Sequence, residues 1–317
     1  MPLLTRKRVI LIEAEGSGNY GTDPTIAAAD AVLVRDLNIT PQSSDVVSRD
    51  LVRPYLGAFE QLQANTSVEV SFSVELAGSG TAGTAPRYND AIKACGFAEA
   101  ITDADSSGGN DTVTYTPVST AFPSITIHYN TDGVRHIVTG CRGTFVINAS
   151  VGEIPTIDFT FTGIYNAPTD TALPTTTYGD QATPLIFKAG NTTGFQLLSY
   201  AGVLSSISLD MGNELVYREL VGGTKETLLV NRNISGTVQI EAVALGTKDF
   251  FAAALANTAG NLVFTHGTTA GNKVQISSTK ADIGDVAYSD MDGIQMLDIP
   301  YTLVPTAENN ELSIIYT

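Results

Sequence analysis

The sequence predicts a mainly β fold: two tandem β-sandwich or small-barrel domains, each flanked by one short α-helix. Three observations carry that prediction. Charged residues make up 16% of the 317, against ~25% in an average domain, while 39 residues are Thr and Trp is absent. Low charge with abundant Thr, Val and Ile suits strands whose outer faces carry hydroxyls. Several segments alternate strictly between apolar and polar residues, the period of a half-buried strand. Finally, the second half of the chain repeats the first in order.

The repeat is clearest where Asp45-Val46-Val47-Ser48-Arg49-Asp50-Leu51-Val52 returns as Glu214-Leu215-Val216-Tyr217-Arg218-Glu219-Leu220-Val221. Acid, two aliphatics, a variable residue, Arg, acid, Leu and Val form a specific string. Leu37-Asn38-Ile39 lies upstream of it as Ile207-Ser208-Leu209 does in the second copy. Downstream, Val70, Phe72, Val74 and Leu76 correspond to Val238, Ile240, Ala242 and Ala244. A helical pattern follows in each copy, Tyr88 to Cys95 stopped by Gly96, and Lys248 to Leu255. The last match sets Ile154–Thr162 against Ile294–Thr302.

Val68–Leu76 buries its apolar positions and presents Glu69, Ser71, Ser73 and Glu75 on the other face. Thr237, Gln239 and Glu241 repeat that polar face, and Asp158, Thr160 and Thr162 oppose Ile157, Phe159 and Phe161. The first copy carries an additional loop, placed at Asp103 to Asn110. The organisation reads as an N-terminal strand and arm over 1–30, a first β domain over 31–167, a linker over 168–195 and a second β domain over 196–317. The Gly-containing stretch from Glu13 to Ala29 reads as an exposed arm and not as core.

A net charge of −16 excludes a basic footprint for gripping a phosphate backbone. No apolar run reaches the ~18 residues of a membrane-spanning helix, so no membrane partner is expected. The run Val9-Ile10-Leu11-Ile12 is too short for a signal-peptide core. Two cysteines, Cys95 and Cys141, form no disulfide framework and fit a reducing compartment.

Motifs that could carry chemistry are weak. Gly78-Ser79-Gly80-Thr81-Ala82-Gly83 fits a dinucleotide fingerprint, but an alternating strand precedes it where a doubly buried one is required. Asp103-x-Asp105-x-Ser107-Gly108 starts like a calcium loop, yet Thr114 stands where its bidentate Glu belongs. His128, His136 and His266 have no partner at metal-ligand spacing. Arg142 beside Cys141 could lower that thiol's pKa, but no catalytic partner is identifiable. No cofactor, metal or catalytic residue is expected, so the chain does not read as an enzyme. Arg49 and Arg218 are open to two readings: local ion pairs, or bridges between subunits at equivalent positions of a ring.

Several strings resemble the major tail tube proteins of bacteriophages with long, non-contractile tails, the siphophages. They are Tyr20–Pro24, Ala29–Val34, Ser48–Gly57, Val74–Pro86, Ala94–Phe97, Tyr115–Ser119 and Asp132–His136, which together span nearly the whole chain. The resemblance absorbs the glycine string and brings no catalytic residues. It implies a virion structural protein, made in the host cytoplasm, that polymerises into stacked rings forming the viral tail tube. Its expected partners are itself and the tail tip or baseplate, terminator and tape measure proteins, with DNA passing through unbound.

Relatives with one domain build a ring from six subunits, so a duplicated chain implies three per ring, a pseudo-hexamer. Four strands per domain would give an inner barrel of about 24 strands, about 48 Å across at ~4.8 Å spacing and ~40° tilt. A duplex about 20 Å wide would pass. An acidic lumen would repel phosphate and release no counterions. The lumen-facing candidates are Glu69, Glu75, Asp158, Glu241 and Asp298. Stacking is assigned to the Glu13–Ala29 arm and the Asp103–Asn110 loop. A secretion-tube or hub homologue, or a capsid-decorating or adhesive β-protein, remains the alternative.

Overall fold

The computed structural model describes residues 3–103 and 111–317. Its first half runs β1 (Arg8–Ala14), β2 (Ala31–Val32), β3 (Arg35–Ser48), β4 (Gln61–Glu75), α1 (Asn89–Ala94), β5 (Phe97–Thr102), β6 (Thr112–Pro117), β7 (Ile125–Thr131), β8 (Val134–Ser150) and β9 (Thr156–Tyr165). Two strands, β10 (Thr169–Asp170) and β11 (Thr192–Leu197), border the stretch between the halves. The second half runs β12 (Leu204–Asp210), β13 (Asn213–Arg218), β14 (Glu226–Arg232), β15 (Ser235–Glu241), α2 (Phe250–Leu255), β16 (Gly260–His266), β17 (Val274–Ile283), β18 (Ala287–Met291), β19 (Ile294–Leu303) and β20 (Ser313–Tyr316). The fold is thus mainly β with two short α-helices, as the composition and alternation predict. Residues 104–110, which include most of the proposed first-copy loop and the calcium-like string, lie outside the described residues.

Every ladder between named strands is antiparallel. One run of eight strands crosses the chain in the order β3-β4-β9-β8-β12-β15-β19-β18. Its two halves have matching registers: Ile39 faces Val70 in the first, and Ile207 faces Val238 in the second, so Ile39, and not Leu37 as the sequence alignment has it, is the counterpart of Ile207. The join between halves is the β8–β12 ladder, where Ser150, Ala149 and Asn148 face Ser206, Ile207 and Ser208. A second set of strands backs this run. It comprises β2-β1-β7 continuing onto the first part of β8, and β5-β6-β20-β17-β16-β11.

The alternating strands bury one face. Phe72, Phe159 and Phe161 stack at centroid distances of 5.5–5.8 Å, and one apolar cluster continues from them through Ile207, Val238 and Ile299 into the second half. Strand β20 completes both halves at once, facing β17 on one side and β6 on the other. Tyr316 on β20 reaches Tyr88 across the core, OH to OH at 3.1 Å.

Local chemistry sets the end of one helix and the start of the other. Gly96 takes the left-handed conformation after α1, at φ +88°, which costs glycine nothing. Asp249 caps α2 by accepting the Ala252 N–H at 2.8 Å.

The arm differs from its expected exposure. Glu15 is only 3% exposed and accepts four hydrogen bonds, from Gly140 N–H (2.5 Å), Ser124 Oγ (2.6 Å), Gly21 N–H (2.8 Å) and Thr126 Oγ1 (2.9 Å). A short polar stretch reads as solvent-facing, but a buried ring of donors supplies the water-like partners that one carboxylate needs. Residues 16–19 beyond it are exposed. The Thr- and Pro-rich stretch between the halves is also held down. Thr177 N–H donates to Ala28 O, Ala182 N–H donates to Gly78 O, and Phe187 is buried.

Candidate functional site

The eight-strand run presents one polar face. Since Val70, Phe72 and Val74 are buried, Glu69, Ser71, Ser73 and Glu75 must point the other way. The registers then carry this face across the chain. Ser73 faces Asp158, Thr156 faces Asn148, Asn148 faces Ser208, Ser208 faces Thr237, and Gln239 faces Asp298. All five carboxylates singled out in the sequence, Glu69, Glu75, Asp158, Glu241 and Asp298, therefore lie on the same face as these hydroxyls and amides. Asp158 accepts from Asn148 Nδ2 at 2.8 Å, and Asp298 accepts from Gln239 Nε2 at 2.9 Å. Asp210, unremarked in the sequence, joins them opposite Val146. Basic side chains are few here. Arg35 stands on the edge strand opposite Ser73. The Arg142 guanidinium is occupied by the carbonyls of Thr227 (2.8 Å) and Phe122 (3.0 Å).

The run has two open edges. Among the described residues, β3 pairs only with β4, and β18 pairs only with β19. An unpaired edge exposes a row of N–H and C=O groups that another chain can complete.

Arg49 and Arg218 sit near the tips of two equivalent hairpins, β3–β4 and β13–β14. Arg49 pairs with Glu60 at 3.1 Å, and Arg218 pairs with Glu226, so each is engaged within its own hairpin. The hairpins differ in their surroundings. β13–β14 lies against β8, β9 and β4 of the first half. Thr227 in β14 is fully buried there, its N–H donating to Tyr20 OH at 2.6 Å and its Oγ1 donating to Thr162 O at 3.1 Å. Among the described residues the β3–β4 tip has no such cover, and Val46 is 54% exposed.

The glycine string is explained by contact and not by a ligand. Gly80 N–H donates to Gly271 O at 2.9 Å and Gly78 N–H to Asn272 Oδ1 at 2.9 Å, so this loop clasps a turn of the second half.

Burial pushes both the Cys95 and Cys141 thiols well up. The Arg142 guanidinium is held by two carbonyls, and the Cys141 thiol is raised, not lowered. Burial lowers all three histidines. His128 Nε2 lies 2.8 Å from Asp23, and His266 is held between Thr192 Oγ1 and Leu185 O. Among the described residues, no three His, Cys, Asp or Glu side chains gather as metal ligands, and no helix is long and apolar enough to cross a membrane.

A polar-faced sheet with two open edges can be extended by another chain at each edge. Comparison with known families decides which kind of assembly, because the profile of the phage tail tube protein family matches residues 5–303. The chain belongs to the phage tail tube protein family. No curated protein matches it. Membership makes this tail tube protein a structural component of the virion tail that self-assembles into a tube. All of the eight-strand run and both hairpins fall inside the matched region.

Proposed function

We propose that three copies of this tail tube protein close into a pseudo-hexameric ring, and that rings stack into the conduit through which DNA is ejected. The observation that carries this reading is the β8–β12 ladder. It joins two repeat-equivalent sheets edge to edge inside one chain, and it leaves behind the two edges needed to repeat the same join between chains. β18 occupies in the second half the place of the β8 end segment, and β3 the place of β12. Transferring the register sets Thr40 of one chain opposite Ser289 of the next, as Ser208 faces Asn148. Three such joins alternate with three internal ones and close a barrel of about 24 strands, roughly 48 Å across at ~4.8 Å spacing and ~40° tilt.

In this ring the polar face lines the lumen. Glu69, Glu75, Asp158, Glu241 and Asp298 then repel phosphate at short range, and hydroxyls and amides between them give DNA nothing to grip. The exposed part of the arm, at residues 16–19, is placed at the stacking contact. Tail-tip, terminator and tape measure proteins are the expected neighbours at the tube ends and in the lumen before ejection.

Cryo-electron microscopy of the concentrated chain tests the reading. Rings or tubes with a central hole, threefold in detail and nearly sixfold in outline, are expected. Compact oligomers without a channel would overturn it.

A further inference from the structure

The geometry points to a specific receptor for the exposed β3–β4 hairpin: the second half of a neighbouring copy, at the end of α2 and at Asp282. This inference rests on the ring reading above and names its second contact.

The template is internal. Hairpin β13–β14 docks on the first half, and three of its contacts define the receptor. Arg142 donates to Thr227 O at 2.8 Å. Asn213 Nδ2 donates to Cys95 O at 2.8 Å and to Gly143 O at 2.9 Å. Leu229 closes over Gly96, where an added Cβ would lie 3.1 Å from Leu229 Cδ1. The hairpin thereby covers the last turn of α1, and Ala94 and Cys95 are fully buried.

The second half has the same surface without its cover. Asp282 faces Thr302 as Arg142 faces Thr162. α2 ends at Leu255, with Asn257 in the left-handed turn that Gly96 takes after α1. There Leu255 is 87% exposed. Asp282 is half-buried, and its Oδ1 has no hydrogen-bond partner among the described residues.

The β3–β4 hairpin carries matching groups. The two ion pairs fix the correspondence, since Gln61 follows Glu60 as Thr227 follows Glu226. Val46 faces Gln63 as Leu215 faces Leu229. The polarity is reversed in a complementary way. In the first half a receptor cation donates to the hairpin's carbonyl, whereas in the second a receptor carboxylate accepts from an amide at Gln61. The hairpin cannot reach this site in its own chain. β3 and β18 lie at opposite edges of eight strands, roughly 34 Å apart at ~4.8 Å per strand. The occupant is therefore a second copy, placed by the same β18-to-β3 join that closes the ring.

Cross-linking tests this. Gln63→Cys and Ala256→Cys put thiols at two exposed positions, one on the hairpin and one at the end of α2, while the native cysteines are fully buried. A bismaleimide about 8 Å long is expected to convert assembled double-variant protein into covalent trimers and no longer species. Neither single variant should cross-link. Asp282→Ala is expected to raise the concentration for half-assembly about tenfold, equivalent to ~1.4 kcal/mol. Rings that assemble but do not cross-link would overturn the hairpin assignment and leave the ring intact. Ladders beyond three chains would place the hairpin between rings and overturn it too. A double variant and parent chain that both remain monomeric at high concentration would overturn both readings together.

Discussion

Gly78 and Gly271 meet backbone to backbone across the two halves of the chain, and a Cβ added to Gly78 would lie 2.1 Å from the Gly271 carbonyl oxygen. Neither neighbour is a flexible side chain that could swing aside. Gly78→Ala is expected to cost about 3 kcal/mol, the upper end for overpacking. Urea unfolding of the monomer measures it directly. A loss below a few tenths of a kcal/mol would mean that the two loops are not held together.

Glu15→Gln is nearly isosteric, yet the buried carboxylate at this position accepts four hydrogen bonds. An amide nitrogen would point its own donors at donors. The expected loss is about 3 kcal/mol, with the Gly21–Tyr20 segment released from Gly140. Calorimetry gives the stability, and hydrogen exchange at the Gly140 amide gives the release. Unchanged protection at Gly140 would contradict the geometry.

The pH dependence follows from the histidines, all held below their ordinary value of 6.5 by burial. Above 6.5 both folded and unfolded chains carry neutral imidazoles, and their contribution to stability is whole. As pH falls through 6.5 the unfolded chain takes up protons first, so stability drops until the depressed folded values are reached. Glu13, raised by burial from 4.5, acts in the opposite sense. Comparing the native chain with His266→Gln removes that contribution from the difference. The slope of unfolding free energy between pH 5 and 6.5, a window set by the 6.5 reference and the downward shift, is expected to flatten in the variant. Parallel slopes would show that His266 does not titrate differently in the folded chain.

For the lumen, Glu69, Glu75 and Glu241 replaced together by Lys convert a repelling surface into one that binds phosphate. In virions with tails of normal length, ejection is expected to slow at least ~10-fold at low salt and to recover as salt rises, because the new contacts act through counterion release. Normal ejection at low salt would remove these residues from the channel.

Much of this fold was legible because it is written in alternation. Val68–Leu76 and Ile157–Phe161 show their buried and polar faces residue by residue, and the shared polar face of Glu69, Asp158 and Asp298 follows from counting by two. Both helix ends were legible from Gly96 and from the repeat. What alternation cannot encode is which edge meets which. The join of Ala149 to Ile207, and the position of β20 between β6 and β17, depend on partners far away in sequence. The Glu15 cluster was hidden for the same reason, since its donors come from Gly140, Ser124 and Thr126. Asp282 did leave a signal, because the repeat registers set it against Arg142, but only the ladder with Thr302 makes that correspondence visible.

The link from Tyr88 to Tyr316 has a consequence in time. These residues are 228 positions apart, and synthesis at ~5–20 residues per second separates them by roughly 10–50 s. For most of that interval β6 has emerged without the strand that completes its edge, and the pocket around Tyr88 lacks its last aromatic ring. The first half therefore waits on the ribosome, half-finished and able to recruit a wrong strand, until the second half delivers the missing piece. A pause in translation between the halves would lengthen that exposed period.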